Sequence, residues 1–345
     1  EDCMKAIQLI DIEKALELRD LPVPAVGEKD VLVRVKAAGI CHSDVHYQTG
    51  AAPVGPLPQT LGHEIAGTIE EIGPRVTNVL VGERVCLHYL VTCGECHFCR
   101  TGVEQFCAQV AMLGKDRDGG YAEYVAVPAR NVVRLPDEVS LEAGAVLMCS
   151  SSTSIHALRK ARLQAGETVA IFGAGGLGMS AIQLARAFGA LQVYAVDINE
   201  DKLDRARGYG AIPIDASHGD PVAEIRRLTG DQGVDVALEV VGLAETMAQA
   251  VRALGVLGRA VMVGIASEPL EIDTYRELLA KEAEVIGCSD HALWDLPLLV
   301  EFVRQGRLDL SGVVERAIPL EADAVNTAMD QLRQFGGEVR TVIVP

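Results

Sequence analysis

Six residues constrain the fold of this chain more than any others. Gly173-Ala-Gly-Gly-Leu-Gly178 sits between an apolar run, Thr168-Val-Ala-Ile-Phe172, and a helical pattern that carries Ile182, Leu184, Ala185 and Phe188 to a stop at Gly189. A lone Gly-x-Gly-x-x-Gly says little. Between a strand and a helix it makes a tight turn at Gly173, lets backbone approach a pyrophosphate at Gly175 and packs helix on strand at Gly178. The helix N-terminus, entered through Gly176 and Leu177, then offers N–H donors and the positive end of a dipole to phosphates. Val193–Val196 reads as the next strand and ends at Asp197, 19 residues beyond Gly178. A carboxylate there binds both ribose hydroxyls and repels a 2′-phosphate, which favours NAD over NADP. The plainer alternative is glycines that only turn the chain and an Asp197 that only caps the helix of Glu200 to Arg207. The complete strand–helix–strand setting favours the nucleotide. Strand-like runs at 234–241, 260–264 and 284–287 alternate with helical segments at 244–254 and 275–282, the pattern of a doubly wound parallel sheet.

The cysteines carry the second constraint. Four of the nine fall within fifteen residues, in Cys93-Gly-Glu-Cys96-His-Phe-Cys99 and then Cys107. Four thiolates on one short loop close a tetrahedron around Zn²⁺ with no open position, the form of a structural site. Unrelated buried thiols would follow a strand or helix period, and these do not. His97 and Cys86 lie near in sequence but a complete thiolate set leaves them no ligand role.

Three more ligand-type residues are scattered: Cys41 in Gly39-Ile-Cys-His-Ser-Asp44, His63 before Glu64, and Cys149 after Val146-Leu-Met148. Singly, Cys149 reads equally as core and His63 as a hydrogen-bonded turn residue, so spacing leaves both readings open. As a set they would form a Cys₂His site with its fourth position free for water or substrate, the arrangement of a catalytic zinc.

Composition excludes several classes. The chain of 345 residues carries 31 Lys and Arg against 48 Asp and Glu, a net charge of −17. Such a surface repels nucleic acid and anionic lipid. No apolar run approaches the length of a bilayer span, and no charged-then-apolar leader marks export, so a cytoplasmic protein of two domains is expected. Glu1-Asp2-Cys3 read as an addition ahead of Met4-Lys5-Ala6. Residues 4 to 150 look β-rich, with Val31–Val35 alternating as a half-buried strand. The tail shows a helical stretch at 296–305 and a final strand at 339–344.

In these motifs the sequence resembles the zinc-dependent medium-chain alcohol dehydrogenases, from Met4 to the end. The resemblance is carried by Gly39-Ile-Cys-His-Ser-Asp-Val-His46, Gly62-His-Glu-Ile-Ala-Gly67, the four-cysteine loop, Asp118-Gly-Gly-Tyr-Ala-Glu-Tyr124 and Gly173 to Gly178. It implies an α/β fold: a GroES-like β-rich catalytic domain (4–151 and 291–345) around an inserted Rossmann domain (152–290). It implies NAD and two Zn²⁺ per chain, the catalytic one on Cys41, His63 and Cys149. Glu64 would approach that metal during ligand exchange, Ser43 would take the alcohol proton, and His46 would pass it to solvent. His42, Thr153, Gly176, Leu177, Lys202, Val263 and Arg340 would contact the cofactor, His42 and Arg340 near the pyrophosphate. Relatives acting on polyols or threonine carry Glu where this chain has Cys149. The implied reaction is therefore oxidation of a primary or simple secondary alcohol, with an NAD-linked polyol or amino-alcohol dehydrogenase as the alternative. A non-catalytic zinc- and NAD-binding protein is the remaining one, although neither Ser43, His46 nor a ligand is lost. The partner is a small alcohol, aldehyde or ketone, without nucleic acid or membrane, in a homo-oligomer (a tetramer ahead of a dimer). Ser150-Ser-Ser-Thr-Ser154 and Trp294 depart from the family pattern and, with Tyr47, His88 and Tyr89, are expected to border the pocket and cofactor.

Overall fold

The alternation at Val31–Val35 belongs to a ten-residue strand, Asp30–Gly39, with Val31, Val33 and Val35 fully buried. It is the spine of a seven-stranded sheet. Strands follow in the order Val132–Arg134, Arg84–Leu87, Glu64–Ile72, Asp30–Gly39, Thr341–Val344 and Arg316–Pro319, with Tyr124–Pro128 also pairing onto Asp30–Gly39. The last strand in sequence thus lies antiparallel beside one of the first, Val342 opposite Gly39. A three-stranded sheet (Glu17–Pro22, Cys3–Leu9, Gln59–Thr60) accompanies it. Ile7, Val33, Leu61, Ile65, Tyr121 and Ile343 share the core.

In the computed structural model, residues 3–311, 314, 316–334 and 340–345 are described. They divide into two compact units. One comprises Glu1–Cys149, Ala292–Arg304 and Asp309–Pro345; the other comprises Ser150–His291 with Gln305–Leu308. The chain leaves the first unit inside a π turn, Leu147–Ser151.

The second unit is built on six strands, all parallel, ordered Ile212–Asp215, Gln192–Asp197, Thr168–Phe172, Val234–Glu239, Leu254–Met262 and Glu284–Gly287. This is the doubly wound order with its switch point beside the first strand, where ligands bind at carboxyl ends. The run at 168–172 is buried from Val169 to Phe172, as a strand covered on both faces must be. Its neighbour helix, Gly176–Ala187, buries Ile182, Leu184 and Ala185.

Two elements differ from their expected form. Residues 275–282 are not one helix but a π turn, Thr274–Leu278, and a 3-10 turn, Leu279–Lys281, closed by Glu282 in left-handed backbone. Tyr275 and Leu279 are exposed there while Leu278 alone of the turn Thr274–Leu278 packs on the core, too little apolar face to propagate regular helix. The terminal strand is Thr341–Val344, and Val339 lies outside the described residues. No helix among the described residues is long and apolar enough to cross a membrane.

Candidate active site and metal centres

Three unrelated pieces of backbone converge in the first unit. Cys41 is the N-cap of the helix His42–Thr49, in extended backbone. Asp44, at the third helical position, reaches back and accepts the Cys41 amide at 2.9 Å, half of a capping box. His63 and Glu64 enter the strand Glu64–Ile72, with Glu64 opposite Gly39 in register. A Cβ at Gly39 would stand 2.1 Å from Glu64 Oε2, so the carboxylate fits only because that residue is glycine. Cys149 lies in the π turn, a helix irregularity that often marks functional sites.

The donor atoms of Cys41, His63, Glu64 and Cys149 all lie within 4.8 Å of one another. Cys41, His63 and Glu64 are buried, and Cys149 is partly so. The two sulfurs are 3.8 Å apart. With Zn–S bonds of ~2.3 Å, a tetrahedral zinc separates its sulfurs by about 3.8 Å. Glu64 Oε2 is buried with no hydrogen-bond partner, an orphan oxygen facing this donor set. Its other oxygen accepts from Arg340 Nη1 at 2.8 Å. Burial lifts the Glu64 carboxyl to about 7 against the pull of Arg340. Cys149, ahead of His63, holds the Cys41 thiol well below its usual range despite burial. These residues fit a zinc with one exchangeable position.

Behind His63 stands a support that the sequence pattern did not assign. Asp44 Oδ1 lies 3.5 Å from His63 Nδ1, while Asp44 Oδ2 accepts from the Tyr121 hydroxyl at 3.0 Å. Burial opposes charge on His63, but the Asp44 carboxylate outweighs it and raises that imidazole above its ordinary value. A carboxylate behind a ligating histidine fixes its ring and tautomer. Both residues sit inside motifs already noted, Gly39–His46 and Asp118–Tyr124, and their zero exposure at polar positions is the signal that only a fold reveals.

Around this centre, Ser43 Oγ lies 3.8 Å from Cys41 Sγ. The rings of His42 and His46, on the same helix, meet edge to face with centroids 5.0 Å apart. Tyr89 packs its ring against His63, 5.1 Å between centroids, and the Tyr47 hydroxyl points to Met112 Sδ at 3.6 Å. Arg340, expected near a pyrophosphate, pairs with Glu64 and the Ile40 carbonyl. Trp294 is half exposed and bonds to Gly102 on the cysteine loop, and Ser152 Oγ meets His291 Nδ1 at 3.0 Å.

The second cluster is Cys93, Cys96, Cys99 and Cys107, again with all donors within 4.8 Å. Sulfur separations of 3.8 Å (Cys93–Cys99), 3.6 Å (Cys93–Cys107) and 3.5 Å (Cys96–Cys99) suit the edges of one ZnS₄ tetrahedron. Backbone amides of Gly94, Cys96 and Gln109 point at the sulfurs at 3.3–3.4 Å. Such amides, first those of Glu95 and Cys96, bring the Cys93 thiol down to about 6.

In the second unit, Gly173 has φ +104, and a Cβ on Gly178 would lie 1.9 Å from the Gly173 carbonyl oxygen, so helix and strand need glycine to meet. Gly175 differs: a Cβ there would touch nothing within 4 Å. Its smallness leaves open space at the N-cap of a helix with no capping side chain, a cradle suited to a phosphate. Asp197 Oδ2 accepts the Ala174 amide at 2.7 Å, tying the carboxylate to the glycine loop. Asn199, not Asp197, caps the helix Glu200–Gly208. Lys202 lies on that helix, Val263 follows the strand Leu254–Met262, and Thr153 is buried in the helix Ser152–Lys160.

Comparison with known proteins agrees with this geometry. Residues 27–137 match the alcohol dehydrogenase GroES-like domain family and residues 176–303 the zinc-binding dehydrogenase family. A NAD-dependent alcohol dehydrogenase of Sulfurisphaera tokodaii is 36% identical over 99% of this chain and 100% of its own. An L-threonine 3-dehydrogenase of Bacillus velezensis is 33% identical over 92% of this chain and 93% of its own. A crystal structure of a NAD-dependent alcohol dehydrogenase superposes with a TM-score of 0.91, at 31% identity over 99% of this chain and 100% of that one.

Proposed function

Because the chain belongs to the zinc-dependent medium-chain alcohol dehydrogenase family, we propose that it oxidises a primary or simple secondary alcohol reversibly to the aldehyde or ketone with NAD⁺. The balance is R₂CHOH plus NAD⁺ giving R₂C=O, NADH and a proton. The observation that carries this reading is the Cys41–His63–Glu64–Cys149 donor set with its sulfurs at the spacing of a zinc tetrahedron.

When bound, zinc supplies a Lewis acid that makes an oxygen-bound proton easier to lose, and NAD⁺ supplies the hydride acceptor. The chain's own residues do the rest. Cys41, His63 and Cys149 would hold the metal, and Asp44 with Tyr121 would fix the His63 ring. Ser43 Oγ, beside Cys41, accepts the substrate's hydroxyl proton. His46, on the same helix, would carry it outward, the acid–base work an imidazole can do. Glu64, held through Oε1 by Arg340, would keep its other oxygen toward the metal-binding donors. The apolar and aromatic sides of Tyr47, Tyr89 and Met112 exclude water. In the second unit Gly175 and the helix N-terminus would hold the pyrophosphate, with Thr153, Lys202 and Val263 as further contacts. Asp197 selects the unphosphorylated ribose. The loop of Cys93, Cys96, Cys99 and Cys107 would hold a second, structural zinc.

A polyol or amino-alcohol substrate is the second reading, supported by the likeness to a threonine dehydrogenase. One assay separates the two: NADH formation over a panel from ethanol to benzyl alcohol, sorbitol and threonine, with NAD⁺ or NADP⁺, before and after chelation. Chelator-sensitive turnover of simple alcohols with NAD⁺ is the expected result. Turnover confined to sorbitol or threonine moves the enzyme to the second reading, and silence from a zinc-loaded sample overturns both.

A further inference from the structure

Between Cys99 and Cys107 the chain makes a 3-10 turn, Glu104–Phe106, that turns Glu104 inward to 4% exposure. Its Oε1 accepts the amide of Leu293 at 2.6 Å. Two residues before Glu104, the Gly102 carbonyl accepts the indole N–H of Trp294 at 3.0 Å. Gly102 has φ +75, and a Cβ there would press on that indole nitrogen at 3.2 Å, so the loop is shaped to admit the ring. Leu293 and Trp294 belong to the 3-10 turn Leu293–Asp295, which opens the returning segment of the first unit directly before the helix Leu296–Arg304.

Neither contact is needed to complete four sulfurs. A buried carboxylate is costly unless it is hydrogen-bonded. His88 Nε2 lies 3.9 Å from Glu104 Oε1, but burial, and then Arg130, push that imidazole down to about 3. It therefore faces Glu104 as a neutral ring at 3.9 Å, while the Leu293 amide donates to the carboxylate at 2.6 Å.

We propose that Glu104 and Trp294 are positioning residues that make the cysteine loop the anchor of the returning chain, so that metal in the loop fixes Leu293–Asp295 and the start of the following helix. Both contacts leave from the stretch between two cysteines of the cluster, whose course is set by ligation. Release of the metal frees that stretch, and the anchor with it. By linkage the anchored segment in turn favours the metal-holding form of the loop. This rests on the loop being a zinc site, not on the identity of the substrate.

Trp294 is the chain's single tryptophan, so its emission reports the contact without labelling. The test uses metal-loaded full-length protein, wild type and C149S; in the latter the remaining metal sits in the loop. Emission, released zinc and hydrogen exchange by mass spectrometry are followed during chelation. As the loop metal leaves C149S, Trp294 emission moves to the red and the peptide containing Leu293 exchanges about tenfold faster or more. E104Q, still loaded, speeds exchange of that peptide while the peptide covering His42–Thr49 is unchanged. Should E104Q not fold, W294F reads the second contact, with a rise of about threefold in the same peptide. Zinc departure with unchanged emission and a still-protected Leu293 peptide overturns the proposal, whatever the alcohol assay shows. A loop that takes up no zinc overturns it at its premise.

Discussion

Cys93, Cys96, Cys99 and Cys107 are gathered by one turn of loop, whereas Cys41 and Cys149 come together across 108 residues. The supports differ as much as the spacing. Loop sulfurs accept backbone amides from their own neighbours, so the sequence that carries the ligands also shapes the cage. The dispersed set depends on distant side chains instead: Asp44 and Tyr121 behind His63, Arg340 behind Glu64. A local cage adds stability wherever it closes. A dispersed one exists only after the fold is complete, and it can keep an orphan oxygen and an open position because the fold, not the metal, bears the cost.

That contrast can be broken first at His63. H63A should cut turnover by about 10³-fold or more, several kcal/mol of transition-state stabilisation, with circular dichroism unchanged. A loss below tenfold in steady-state NADH formation would place the chemistry elsewhere. Next in size, C99S should lose one zinc per chain and lower the thermal midpoint by roughly 10 °C, from several kcal/mol at ~2–4 °C each. C149S should move the midpoint far less. Equal shifts in the two variants, read by calorimetry and metal analysis, would erase the distinction between cages.

Y121F sharpens the comparison from the other side. Removing one hydroxyl behind Asp44 should speed zinc release from the dispersed set by about 10-fold or more and leave the loop untouched. A chromophoric chelator resolves the two phases; a single unchanged profile would show that Tyr121 does not hold the ligand. The smallest effect belongs to acid. His88 is buried and pushed down to about 3, below its unfolded value of 6.5. The unfolded chain therefore binds the extra proton between those values, so stability is complete above pH 6.5 and falls as pH drops toward 3. H88Q should flatten that slope in urea midpoints measured from pH 7 to 4.

Local features of this molecule were readable in its sequence. The strand Thr168–Phe172, its glycines, Asp197 and the four-cysteine loop are each specified by neighbours in the chain, and periodicity or spacing exposes them. Residues 275–282 depart from the helix their composition predicts because only a narrow apolar contact, at Leu278, packs on the core. Asp44 and Tyr121 were visible as letters but not as a pair, since what makes them a support is burial against His63 from two segments 77 residues apart. Arg340 is similar: only the pairing of Thr341–Val344 beside Asp30–Gly39 brings its guanidinium to Glu64. Gly39 stands in the Gly39–His46 motif, yet its reason, room for Glu64, belongs to strand register.

The pairing of Thr341–Val344 with Asp30–Gly39 also sets an order of events during synthesis. The six-stranded unit lies within one nearly continuous stretch, so it can close while later codons are still being read. The seven-stranded sheet cannot. Its early strands leave the ribosome with an unfilled edge and wait for residues 316–319 and 341–344 before Arg340 arrives to meet Glu64. The seven-stranded sheet is thus the last to be finished, and a chain released early carries Glu64 without Arg340.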